Sequence, residues 1–197
     1  MCRHRPLTQL IWPKLRSVLH DYPDIRLELN VDGGFRDIVE DGFDAGIRLG
    51  ESVEHDMIAL RVGPDWRLVA VATPDYVAKH GRPEHPQDLL AHDCINRRLV
   101  TAGGLYAWEF EKDGKELRVR VEGRLTLNDE GTMVEAALDG VGIAYVPEDM
   151  VSAHAHSGAL VVLLEDWSPR FSGYHIYYPS RHQNLPAFKA VLNALRH

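Results

Sequence analysis

The chain has 197 residues, of which 45% are hydrophobic and 26% are charged, values typical of a soluble globular protein with a buried core. Its formal net charge of −7 argues against nucleic-acid binding by this chain, because phosphate contacts need clustered lysine and arginine. No apolar run approaches the ~18 residues of a membrane span, and the N-terminus lacks the apolar stretch of a secretory signal. We therefore expect a cytoplasmic protein without a membrane partner.

The first third of the chain predicts a helix followed by a strand, and then a second such pair. Apolar residues recur at helical spacing over residues 7–23. Residues 25–31 alternate between apolar and polar, the pattern of a strand with one covered face. A short helix over residues 35–40 and a strand over residues 44–49 repeat the order.

The rest of the chain continues this alternation. Two strands surround the Gly63-Pro64 turn, and Asp113-Gly114 between alternating runs predicts a hairpin. Because strands interleave with helices of about 10–15 residues, the sequence predicts an α/β class with largely parallel sheets. A helix, an Asp-Gly pair and a strand occur near residues 35–49 and again near 130–146, which suggests two similar subdomains.

Two glycines, Gly140 and Gly142, raise the question of a phosphate site. A phosphate-binding glycine turn precedes a helix, where free N–H groups and the helix dipole attract an anion. Here the glycines follow the helix, whose C-terminal end repels phosphate. We therefore interpret Gly140 as a left-handed helix cap and Gly142 as a position of close packing.

The junctions between a strand and the following helix are better candidates for a ligand site. Asn128 is the predicted N-cap of the helix that ends at Gly140, with Asp129 and Glu130 in its first turn. Gly50 and Ser52 form a second junction of this type, where backbone and hydroxyl groups are expected to be exposed.

Other site chemistries find little support. The two cysteines, Cys2 and Cys94, do not form a CxxC pair, so we expect free reduced thiols. His154 and His156 form an HxH pair whose rings would point apart on a helix, which favours a solvated helix end over a metal site. No GxSxG elbow is present, and we expect neither a catalytic site nor a metal or cofactor.

Five stretches, in order, resemble the effector-binding domain of LysR-type transcriptional regulators. The resemblance covers almost all of residues 7–197. The stretches are WPKLRSVLHDYPDIRLEL, DIVEDGFDAGIRLGE, VATPDYVAKHGRPEHPQDLLAHDCI, MVEAALDGVGIAYVPEDMV and GYHIYYPSRHQNLPAFKAVLNAL.

The resemblance implies two Rossmann-like α/β subdomains joined by two crossover segments, as in type 2 periplasmic binding proteins. Subdomain I would comprise residues 1–73 and 173–197, and subdomain II residues 74–172. The family implies that a small effector binds in the cleft between them. The expected lining residues are Thr8, Gly50, Glu51, Ser52, Asn96, Arg97, Thr101, Gly103, Leu127, Asn128, Asp129, Val146, Pro147 and Phe171.

The effector should be neutral, or carry hydroxyl or amine groups, rather than be a di-anion. Many family effectors are carboxylates, which a helix N-terminus attracts, but Asp129 and Glu130 compete for that positive end.

The family also implies partners. A homodimer would pair residues 7–31 of one subunit with residues 129–138 of the other, antiparallel, and DNA binding would need the family's winged helix-turn-helix, which this sequence lacks. A free-standing solute-binding protein of the same fold is the alternative, and it would require an export signal.

Overall fold

The computed structural model describes residues 7–31, 41–50, 57–99 and 104–196. A π-helical turn over Leu7–Ile11 leads into the first α-helix. The α-helices are α1 (Trp12–Asp21), α2 (Pro74–His80), α3 (Glu130–Leu138), α4 (Glu148–His156) and α5 (Pro186–Arg196). The strands are β1 (Gly46–Leu49), β2 (Met57–Arg61), β3 (Trp66–Ala72), β4 (Ile95–Arg97), β5 (Trp108–Lys112), β6 (Lys115–Val119), β7 (Leu125–Leu127), β8 (Ala144–Pro147), β9 (Val161–Leu163), β10 (Arg170–Phe171) and β11 (Tyr174–Pro179). Short 3-10 helices cover Pro86–Ala91, Glu165–Trp167 and Ser180–Asn184.

The chain divides into two units. The sequence predicted the boundaries between them at residues 73–74 and 172–173. The first unit comprises Met1–Asp65 and Ser172–His197, and the second comprises Trp66–Phe171. The first boundary lies earlier than expected because all of β3 belongs to the second unit, where it pairs with β8, β9 and β10.

The first unit packs α1 and α5 with a three-stranded sheet in the order β1-β11-β2. Both strand pairs in this sheet are antiparallel. Its core joins the helical positions Leu15 and Val18 of α1 to Ile176 of β11 and Leu192 of α5. The predicted helix at the start of the chain is confirmed, because its apolar spacing matches this buried face.

Residues 25–31 do not form the predicted strand. Ile25 and Leu27 do pack against the core of the first unit, while Arg26 and Glu28 are exposed. The alternation therefore specifies which side chains are covered, but the segment pairs with no strand among the described residues. A period of two fixes the covered face, whereas a strand also needs a hydrogen-bonded neighbour.

In the second unit, β3 pairs antiparallel with β8, β9 and β10. One core lies against Leu68, Ala70 and Ala72 of β3, and another lies against Val69 and Val71. Burial on both faces explains why residues 68–72 of this strand are all apolar.

The expectation of largely parallel sheets is wrong for the described strands. Only β4 and β7 pair parallel as strands, with Asn96 beside Thr126, and an isolated parallel bridge joins Cys94 to Ile143. The hairpin of β5 and β6 is confirmed, with Lys112 paired to Lys115 across Asp113-Gly114.

Candidate functional site

The carboxyl ends of β4, β7 and β8 meet at one edge of the second unit. Arg97 pairs with Leu127 in the parallel register of β4 and β7, and the N–H of Arg98 donates to the Leu127 carbonyl at 2.7 Å. The parallel bridge at Cys94 and Ile143 brings β8 alongside β4. The carboxyl edge of a parallel sheet is where open α/β folds bind ligands.

Helix α3 begins at this edge, and Asp129 is its N-cap. The Asp129 carboxylate accepts hydrogen bonds from the Thr132 N–H at 2.8 Å and from the Thr132 hydroxyl at 2.7 Å. These bonds lower the pKa of Asp129, with the backbone N–H contributing most. The assignment of Asn128 as N-cap is wrong by one residue, because the side chain that accepts from the first turn is that of Asp129. Asn128 is an exposed residue between the end of β7 at Leu127 and this cap.

Glu130, the first residue of α3, forms an ion pair with Arg97. The Arg97 Nη2 and Glu130 Oε1 atoms lie 3.0 Å apart, and the side chains are 8% and 14% exposed. The Arg97 guanidinium carbon also lies 5.7 Å from the centroid of the Tyr106 ring. The charge of Glu130 is therefore balanced by a nearly buried cation, a contact that ties α3 to the end of β4.

A polar chain continues from Tyr106 to the β5–β6 hairpin. The Tyr106 hydroxyl donates to Glu109 at 2.9 Å, and Arg118 lies 3.2 Å from the other Glu109 oxygen. Sequence reasoning missed Glu130 and Tyr106 as neighbours of Arg97. The sequence offered only a general signal: a charged residue in a buried strand requires a partner of opposite charge, but the sequence does not identify that partner.

The other predicted residues of the second unit have different surroundings. Asn96 and Pro147 are buried, and the Val146 side chain is fully enclosed in the core that contains Met133. Phe171 lies on β10 with its ring centroid 5.7 Å from that of Trp66. Their roles toward an effector remain predictions.

In the first unit, Thr8 is exposed on the π-helical turn. The backbone of Gly50 was expected to be open, but its N–H donates to the Gly173 carbonyl at 3.3 Å and its carbonyl accepts from the Tyr177 hydroxyl. Four predicted site residues lie outside the described residues: Glu51, Ser52, Thr101 and Gly103.

The glycines near the end of α3 have the predicted structural roles. Gly140 adopts a left-handed backbone with φ of 72°. A Cβ atom on Gly142 would lie 2.3 Å from the Asp93 carbonyl oxygen, so only glycine fits there.

The thiol of Cys94 is buried nearby, and burial raises its pKa to about 12, so it is unreactive at neutral pH. Over the described ranges, no group of three or more His, Cys, Asp or Glu residues could hold a metal ion.

Residues 6–197 match the family model described as the LysR substrate binding domain. The chain belongs to this family. A LysR regulatory domain, that of CrgA from Neisseria meningitidis, aligns with 98% of the chain and 94% of its own length, with a TM-score of 0.75 and 25% identity.

Longer LysR-like relatives are named as regulators of transcription. A putative transcriptional regulator of Pseudomonas aeruginosa is 48% identical over 95% of this chain and 61% of its own length. The regulator PgrR of Escherichia coli is 38% identical over 95% of this chain and 63% of its own length. The chain therefore spans less than two thirds of these relatives. No helix in the described part of the chain is long and apolar enough to cross a membrane.

Proposed function

We propose that this LysR domain is the sensor of a transcriptional regulator and that it binds a small organic effector at the edge formed by β4, β7 and the start of α3. The family match and the regulators among its relatives support the sensing role. The position at the carboxyl ends of parallel strands, with Asn96 and Arg97 on one strand and Asn128 after the other, supports the location.

The effector is neutral, or carries hydroxyl or amine groups. One observation carries this proposal: the chain's own carboxylate occupies the N-terminus of α3, since Asp129 accepts two hydrogen bonds from Thr132. Arg97 is already paired with Glu130 at 3.0 Å, so it is not available as a counter-ion for an anionic effector. An anionic effector would therefore meet the negative charge of Asp129, which already occupies this helix end.

Calorimetric titration tests this choice with three ligand sets: dicarboxylates, neutral aromatic compounds and hydroxylated amines. We expect dicarboxylates to bind most weakly. The matched variant Asp129→Asn retains a good capping residue but removes the charge, so it should gain affinity for dicarboxylates. Tighter binding of dicarboxylates than of the other two sets by the unaltered chain would overturn the proposal.

The proposed role is sensing without catalysis, in the cytoplasm, where a regulator of transcription meets DNA. Contact with DNA would be made by a helix-turn-helix domain of a complete regulator. The effector would act by binding one arrangement of that regulator more tightly than another, which is the only way in which a ligand shifts such an equilibrium.

We also propose the homodimer in which residues 7–31 of one subunit contact residues 129–138 of the other. The exposed apolar side chains of α1 support it, with Trp12 at 44% and Leu19 at 38% exposure. Residues 25–31 do not form the predicted strand, so they supply no strand edge for this contact.

A further inference from the structure

Three histidines surround the connection between α2 and β4. The His80 ring stacks on the buried Tyr76 ring, with centroids 4.5 Å apart and an interplanar angle of 22°. The His92 ring lies on the same tyrosine with centroids 6.0 Å apart. The third, His85, belongs to the loop between them, and its ring meets Trp167 edge-on at 4.8 Å.

The tyrosine in this cluster holds the residue that leads into β4. The N–H of Asp93 donates to the Tyr76 hydroxyl at 3.1 Å, and that hydroxyl lies 3.4 Å from both the Asp93 carbonyl and His92 Nδ1. The Asp93 carbonyl also accepts from the Ile143 N–H at 2.9 Å. Tyr76, with His80 and His92 packed against it, therefore holds the start of a segment. Three residues after Asp93 this segment reaches Asn96, which Arg97 follows.

The loop residue of the cluster must be neutral to make its hydrogen bond. The N–H of Gln87 donates to Nδ1 of His85 at 3.2 Å, and a protonated Nδ1 has no lone pair to accept it. The Asp88 carboxylate completes this capping box by accepting from the N–H groups of Glu84 and His85 at 3.0 and 2.8 Å. Protonation of His85 therefore removes one of the bonds that shape the loop.

The charges around His92 also favour its neutral form. Burial lowers the pKa of His92, the nearby His80 lowers it further, and Asp88 partly opposes them. Besides the two histidines, Asp93 and Cys94 are ionisable neighbours of Tyr76. The folded state therefore disfavours protonated His92. The packing around His92 is most stable above the ordinary pKa of 6.5 and weakens as the pH falls below it.

We propose that His80, His85 and His92 form a pH-sensitive clasp that fixes the start of β4 when neutral and releases it on acidification. The positive charge added at His92 and the lost cap at His85 would loosen the segment from His80 to Asp93. The consequence for the effector, a weaker grip at low pH, rests on the proposed function, whereas the loosening itself does not.

Hydrogen–deuterium exchange of the chain without ligand tests the clasp between about pH 5.5 and pH 7.5, with correction for intrinsic exchange rates. We expect the Asp93 amide to be less protected at the lower pH than at the higher, because its N–H donates to the Tyr76 hydroxyl beside His92. The double variant His80→Phe and His92→Gln keeps a ring on Tyr76 and a polar group beside its hydroxyl, and its pH response should be smaller, with only the cap at His85 left to respond.

The matched control is His20→Gln, at an exposed position of α1, which should respond like the unaltered chain. Should the double variant fail to fold, NMR titration of the unaltered chain replaces it, with the pKa of His92 expected to lie below its ordinary value of 6.5. Protection that does not change with pH, an unchanged response in the double variant, or a pKa of His92 that is not lowered would overturn the proposal. Because no effector is added, these outcomes do not depend on the calorimetric test.

Discussion

At the scale of single residues, the start of α3 shows how far a sequence can specify a site. Asn128 and Asp129 are both good capping residues, so composition alone permits the helix to begin after either one. The structure chooses Asp129, whose carboxylate reaches the Thr132 N–H. This choice leaves the amide of the exposed Asn128 unused by the cap and places a negative charge on the helix end.

Replacement of Asp129 by alanine should therefore destabilise the fold, whereas Asn128→Ala should not. We expect the first substitution to lower the free energy of unfolding by about 0.5–2 kcal/mol, the usual cost of a lost N-cap. The second should change it by less than roughly 0.5 kcal/mol, as for an exposed residue outside the cap. Urea denaturation of the two variants measures both values.

Acid titration provides a second measurement of this cap. The pKa of Asp129 is lowered by its bonds to Thr132, so its contribution is present above the ordinary value of 3.8 and is lost as the pH falls below it. The acid sensitivity should be smaller in Asp129→Asn, which caps without ionising. Equal losses for the Asn128 and Asp129 alanine variants would show that the carboxylate does not cap the helix.

At the scale of elements, local chemistry was predictable and long-range pairing was not. The β5–β6 hairpin follows from Asp113-Gly114, because a two-residue turn with these residues dictates its own geometry. Strand direction at β3 was not predictable in this way, since its partners lie more than 70 residues away in sequence. The ion pair of Arg97 with Glu130 was unpredictable for the same reason, because a sequence shows both charges but not the contact between them.

The approach of β8 to the clasped segment gives a prediction at this scale. Gly142 precedes β8, and an added Cβ would lie 2.3 Å from the Asp93 carbonyl oxygen and 3.0 Å from its carbon. Since the obstructing atoms are backbone, Gly142→Ala should cost about 1–3 kcal/mol of stability, the usual penalty of overpacking.

Gly104 is the matched control for this substitution. Among the residues that the structure describes, none would lie within 4 Å of a Cβ at this position. The variant Gly104→Ala should be neutral or slightly stabilising, because alanine restricts the unfolded chain. Thermal unfolding of both variants provides the comparison, and similar losses at the two glycines would contradict the proposed close approach.

At the scale of the whole molecule, the surfaces of α1 and α3 have complementary patterns. On α1, Trp12, Arg16 and Leu19 recur at spacings of four and three and share one exposed face. On α3, Glu135 is exposed, and the half-buried Leu138 follows it by three residues. An antiparallel dimer would place Arg16 of one subunit opposite Glu135 of its partner, and two-fold symmetry would repeat the contact.

Exchange of these two charges tests the dimer. Arg16→Glu and Glu135→Arg should each weaken association at least about tenfold, because like charges would then face each other twice per dimer. The double variant restores opposite charges and should regain most of the affinity. Sedimentation velocity over a range of concentrations measures the association, with Lys189→Glu, an exposed cation of α5, as the control that should leave it unchanged. A strict monomer at high concentration, or a double variant no better than the single ones, would show that α1 and α3 do not pair in this register.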